Sequence, residues 1–78
     1  MKKLLLDITC QLVDNPGIVK ITEETHGNGD WGFCIQASAE DRGRIIGKNG
    51  EVVGAVRTVL GHIAMRQGKT KPTLKVLD

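Results

Sequence analysis

The sequence predicts an α+β two-layer sandwich, three helices on one face of a three-stranded sheet, in the order α-β-β-α-α-β. Three observations carry that expectation. A length of 78 residues with 40% apolar content is enough for one core and too little for a second. Apolar residues recur at helical spacing near the start and again in the second half. Short β-branched or alternating runs, bounded by Gly, Asn, Asp and Pro, lie between and after them.

The first helix is read over residues 2 to 14, because Leu4, Ile8 and Leu12 form one i, i+4 row with Leu5 beside it. Asn15-Pro16-Gly17 stops it, since a residue before proline is driven out of the helical region. Residues 18 to 25 are β-branched and partly alternating, and Gly27, Asn28, Gly29 and Asp30 are expected to supply positive-φ positions of a hairpin loop. A second strand follows at 31 to 37, with Phe33, Ile35 and Ala37 on one face and Gly32, Cys34 and Gln36 on the other. Ser38 with Asp41 three positions on resembles a capping box and opens a helix from Ala39 to about Ile46. Gly47-Lys48-Asn49-Gly50 breaks it. Val52, Val53, Val56, Val59, Leu60 and Ile63 then give the clearest helical period in the chain, ending near Gly68 with Arg66 in the last turn. Thr73 to Leu77 alternates, with Leu74 and Val76 on one face, and Pro72 stands at the strand's start, where a missing N–H matters least.

Composition excludes several classes. Cys10 and Cys34 are far apart in apolar runs, which fits neither a disulfide framework nor a zinc or redox pair; both are expected to be buried small hydrophobes. No stretch approaches the roughly 20 apolar residues that span a bilayer. Asp7 interrupts Leu4-Leu5-Leu6 too early for a signal-peptide core, so the chain is read as soluble and cytoplasmic. His26 and His62 have no metal-ligand spacing around them and read as surface residues; no metal or cofactor is expected. Phosphate-loop, dinucleotide and nucleophile-elbow signatures are absent, so no enzyme is expected.

The net charge of +2 hides an asymmetry. Residues 1 to 41 hold three Lys against seven acids, net −4, whereas residues 42 to 78 hold eight Lys and Arg against Glu51 and Asp78, net +6. A basic half points to a polyanion. Within it, Gly43-Arg44-Ile45-Ile46-Gly47-Lys48-Asn49-Gly50-Glu51-Val52-Val53 places a G-x-x-G turn between two helices. Gly47 and Gly50 put no side chain between the main chain and whatever approaches it. The helix beginning near Gly50 aims unpaired N–H groups at the turn, and Lys48 adds a full charge, so a phosphate is the natural guest. Ile45, Ile46 and Val53 flank the loop, and some of them could form an apolar floor for planar bases. Arg42, Arg44 and Arg57 surround it, giving residues 42 to 57 a local net charge of +3.

The run Ile45-Ile46-Gly47-Lys48-Asn49-Gly50-Glu51-Val52-Val53 resembles the helix-loop-helix signature of the KH domain. A helix and two strands before it, with room for one strand after the long helix, are similar to the type II arrangement. A single such domain over residues 1 to 78, led in by Ser38-Ala39-Glu40-Asp41, is most similar to the small bacterial KhpA (YlqC) family. The resemblance implies a single-stranded RNA-binding protein, an RNA chaperone or post-transcriptional regulator in the cytoplasm. Such a protein self-associates or pairs with a larger KhpB/Jag-type KH protein, a pair tied in some bacteria to cell shape. It also implies a G-x-x-G loop clamping about four nucleotides, here through Arg44, Ile45, Ile46, Gly47, Lys48, Asn49, Gly50, Val53 and Arg57.

Two other classes stay open on the residues alone. A KH frame can serve as a protein-interaction or dimerisation module, and Gly54 and Gly61, seven apart on one helix face, fit either close packing on the sheet or a contact between two copies. A base-stacking platform of the OB or RRM kind needs several aromatics, and this chain has one Phe, one Trp and no Tyr.

Overall fold

Each expected element forms in the computed structural model, which describes residues 1–77. Helix α1 (Lys2–Leu12) leads through a 3₁₀ turn at Pro16–Ile18 into strand β1 (Lys20–Thr25) and strand β2 (Trp31–Gln36). Helix α2 (Ala39–Ile46), a 3₁₀ turn at Lys48–Gly50, helix α3 (Glu51–Arg66) and strand β3 (Thr73–Val76) complete the chain. The sheet is mixed, ordered β1-β2-β3, with β1 antiparallel and β3 parallel to the central β2.

The pairing register decides which face is buried. Ile21 lies opposite Ile35, and Phe33 opposite Leu74, so these side chains share the face covered by the helices. There they meet Leu5 of α1, Ile45 of α2 and Leu60 of α3, with Phe33, Leu5 and Leu60 fully buried. The opposite face carries Thr22, Glu24, Cys34 and Lys75 and is polar.

Several boundaries and contacts differ from the expectation, each for a local reason. The first helix stops at Leu12, because Val13 is already extended (φ −113°, ψ 158°) ahead of Pro16. Ile18 belongs to the 3₁₀ turn and is exposed, and Ala37 lies past the end of β2. In the hairpin loop only Gly29 takes a positive φ (91°); Asn28 instead accepts from the Asp30 N–H at 3.1 Å, an Asx turn that needs one left-handed residue only. Helix α3 ends as Gly68 (φ 73°) turns left-handed, with Lys69 N–H donating to Ala64 O at 2.9 Å and Gly68 N–H to Met65 O at 3.1 Å, a Schellman closure.

Only half of the capping box forms. The Asp41 N–H donates to Ser38 Oγ at 3.2 Å, but the Asp41 carboxylate, 1% exposed, is not spent on the Ser38 main-chain N–H. It accepts instead from the N–H groups of Asp14 (3.1 Å) and Asn15 (3.0 Å), pinning the segment after α1 to the start of α2. Cys34 is buried as expected, though on the polar face: its thiol donates to Glu24 Oε1 at 2.8 Å. Cys10 is half-buried in α1.

Candidate nucleic-acid interface

Helices α2 and α3 meet at a four-residue bend, three of whose residues, Gly47, Asn49 and Gly50, have positive φ. Gly47 sits at φ 75°, ψ 174°, a region that is essentially glycine-only, and a Cβ there would lie 2.8 Å from the Val52 backbone nitrogen. Asn49 is left-handed (φ 57°, ψ 27°), and asparagine is among the few residues with a Cβ that visit this region readily. Gly50 is left-handed too (φ 75°, ψ 15°), with open space where a Cβ would be. Hydrogen bonds from Gly47 N–H to Gly43 O (2.9 Å) and from Gly50 N–H to Gly47 O (3.2 Å) hold the bend in shape.

The result is a projecting turn with the exposed side chains of Lys48 and Asn49 at its tip. No side chain caps the N-terminus of α3. The positive end of a 16-residue helix lies next to exposed Lys48, with the Glu51 carboxylate in the same first turn and the Glu51 N–H already bonded to the Lys48 carbonyl.

The remaining expected site residues fall into two groups. Ile46 and Val53 are half-buried beside the turn, and Arg57 follows one helical turn beyond Val53. Ile45, by contrast, is 2% exposed and belongs to the core, so it supports the bend from below and is not an open floor. Arg44 lies at the rim with its guanidinium engaged: Nη1 is 2.8 Å from Asp41 Oδ1 and Nη2 is 3.1 Å from Asp14 Oδ2. Hydrogen bonds from the Asp14 N–H and, less strongly, from the Asn15 N–H, Ser38 and the nearby Arg44 hold the Asp41 carboxyl below its ordinary pKa despite burial.

The structure adds a cleft that the sequence did not disclose. Arg57, Thr58, Gly61, His62 and Met65 run along α3 at helical spacing and, with Lys71 and Pro72, line a cleft of about 200 Å³ against the start of β3. Arg57 Nη2 reaches the Leu74 carbonyl, on the open side of the edge strand, at 3.5 Å. Gly54 occupies the same stripe between the bend and the cleft, and nothing lies within 4 Å of where its Cβ would be. Gly61 is buried, and a Cβ there would lie 3.6 Å from the stem of Lys71. The available signal was the i, i+3, i+4 row Gly54, Arg57, Thr58, Gly61, His62, which departs from the apolar face of the same helix. Among the described residues no group of three His, Cys, Asp or Glu side chains could hold a metal ion, and no helix is long and apolar enough to cross a membrane.

The family model described as the KhpA/KhpB KH domain matches residues 2–76. The chain belongs to the KhpA/KhpB KH-domain family. Its KH fold, with helices packed on one face of a mixed sheet, is the one the motif led to. Among relatives, the RNA-binding protein KhpA of Listeria monocytogenes is 37% identical over the whole of both chains. The RNA-binding protein KhpA of Clostridium acetobutylicum is 38% identical over 88% of this chain and 91% of its own. That of Caldanaerobacter subterraneus is 35% identical over the same shares. No solved structure matches the chain. Within this fold the Gly47–Gly50 bend joins α2 to α3, and the cleft lies farther along α3, from Arg57 onward.

Proposed function

We propose that the chain is a non-catalytic, single-stranded RNA-binding protein that grips the sugar-phosphate strand at the Gly47–Gly50 bend. The observation that carries this reading is the bend itself, where main chain free of side-chain cover, an uncapped helix N-terminus and an exposed Lys48 converge. Backbone N–H groups there and Lys48 contact phosphate, and Asn49 keeps the turn's shape while offering its amide. Ile46 and Val53 give the apolar side on which bases lie, with Ile45 bracing them from the core. Arg57 and, at the rim, Arg44 complete the positive border. The strand then passes Gly54, where the missing side chain leaves room, into the cleft between α3 and β3. The matching relatives' shared name, RNA-binding protein KhpA, supports the same reading.

Such a domain, with one groove for a few unpaired nucleotides, suits a cytoplasmic RNA chaperone or post-transcriptional regulator. A second copy, or a larger KhpB-type KH partner, would extend its footprint, with consequences for cell shape where that pair operates. Val59 and Met65, exposed at 48% and 58% on α3, favour such an association.

The test is Lys48→Asp combined with Asn49→Asp, with binding of short unpaired oligoribonucleotides read by fluorescence anisotropy. Both positions are exposed and Asp tolerates the left-handed backbone nearly as well as Asn. Far-UV circular dichroism and melting should therefore match the parent while binding is lost. Unchanged affinity in the double variant would reject the bend as the grip.

A further inference from the structure

Trp31, at the hairpin end of β2, plays no part in the bend or in the α3 cleft. Its ring meets Phe33 edge-on (centroids 5.4 Å apart, planes at 69°), and its indole N–H donates to the Thr70 carbonyl at 2.8 Å. The Lys69 ammonium, at the end of a flexible stem, lies over the ring 5.4 Å from the centroid. Glu23, Thr25, Gly29, Lys69 and Thr70 line, with the indole, a second, shallow and open cleft of about 360 Å³. The cleft thus combines an aromatic ring held by packing and a hydrogen bond, a cation on a flexible stem and a carboxylate.

We propose that this cleft holds one unpaired guanine of a bound RNA strand, stacked on Trp31 where the Lys69 ammonium now rests. The proposal rests on the RNA-binding reading above and extends it beyond the helix-loop-helix. Stacking on an indole is open to any base, and the displaced ammonium is freed to meet a phosphate. The carboxylate makes the choice among bases. Glu23 offers two acceptor oxygens and no donor, and guanine alone places two adjacent N–H donors, N1–H and the N2 amino group, on its pairing edge. Uracil has one donor there, flanked by carbonyls that repel the carboxylate. The strand reaches this cleft over a short bridge, because Lys71 lines the α3 cleft while Lys69 and Thr70 line this one. Glu23, Glu24 and Asp30 make the hairpin end acidic, so the base enters and its phosphate stays outside on Lys69 and Lys71.

Trp31 is the sole tryptophan and the chain has no tyrosine, so intrinsic fluorescence reports on this cleft alone. Titration with a guanosine-containing oligoribonucleotide should quench it in step with the anisotropy change, and the same oligonucleotide with uridine in place of guanosine should quench far less. Glu23→Gln, at an exposed position, should keep the fold and the quenching but lose a preference for guanosine of about tenfold. Free guanosine monophosphate should quench only at much higher concentration than the oligonucleotide. Anisotropy that reports binding while Trp31 emission stays constant would overturn the stacking site and leave the RNA-binding reading standing. Equal quenching by the uridine oligonucleotide, or by free nucleotide at the oligonucleotide's concentration, would overturn the assignment to a guanine within a strand. Absence of any oligonucleotide binding would remove the reading on which the site depends.

Discussion

Asp41 shows how one side chain fixes the frame around the proposed grip. Its carboxylate, held ionised by the N–H groups of Asp14 and Asn15 and by Arg44, joins the end of α1 to the start of α2. Because its folded-state pKa is depressed, the stabilisation is fully present above the unfolded value of about 3.9 and is lost as pH falls through the lower folded value. Asp41→Asn should therefore melt below the parent at neutral pH, and the gap should narrow on acidification below about pH 4, as followed by circular dichroism. A constant gap across that range would mean that the carboxylate's charge is not what matters. The bend offers a second contrast. Gly47→Ala places a methyl group against Val52 in a glycine-only backbone region, whereas Gly50→Ala meets open space in the left-handed region. The first should cost more than the roughly 1–2 kcal/mol of a left-handed L residue, and the second about that amount, in denaturant titration. The sequence located these glycines but could not rank them, because both the ψ that separates them and the position of Val52 beside Gly47 belong to the folded bend. The role of Asp41 was equally hidden: its partners are backbone groups 26 and 27 positions away, which no local motif encodes.

At the scale of elements, α3 reconciles two demands. Its apolar row buries Leu60 and Ala64 against the sheet, and this period made the helix legible in the sequence. Its other stripe carries Gly54 and Gly61, each disfavoured by about 1 kcal/mol against Ala in a helix interior. Of the two readings of these glycines, close packing on the sheet does not hold for Gly54, and a contact between two copies is left open. A Cβ at Gly61 would meet the stem of Lys71, whereas a Cβ at Gly54 would have nothing within 4 Å. Gly54→Ala should therefore stabilise the protein by up to about 1 kcal/mol in denaturant titration. If the strand runs along α3 as proposed, the same change should weaken oligonucleotide binding, and a stabilised variant with undiminished affinity would move the strand elsewhere. The strands were legible for a simpler reason: a shift of one residue would exchange Ile21, Phe33 and Ile35 for Thr22, Cys34 and Gly32 on the helix side. Element ends were less legible: Pro16 and Gly68 marked the stops, but not the residue at which the chain turns extended, so α1 ends at Leu12, two residues before the expected end.

Across the whole molecule, the charge asymmetry seen in the sequence sharpens once pairing is known. Asp14 and Asp41 are taken up by Arg44, and Glu24 binds the Cys34 thiol and lies 3.8 Å from Lys75. Hydrogen bonding from that thiol and the proximity of Lys75 lower the Glu24 pKa, while the same bond and burial raise that of Cys34. Cys34 is thereby kept an unreactive thiol, and alkylation of the native protein should label Cys10 first. Lys48, Arg57 and Lys71 then line the bend and cleft as the positive border, a pattern that no count of charges per half could separate from a solvated helix face. On a single strand each phosphate neutralised contributes about −0.7 to the slope of log K against log salt, so a clamp over about four nucleotides should give a slope near −3. Lys71→Gln, at an exposed position on the rim of the cleft, should make the slope shallower by about 0.7 with little change in melting. A flat salt response would mean that the positive border does not carry phosphate contacts, and the exposed apolar residues of α3 would then make association with another protein the better account of this surface.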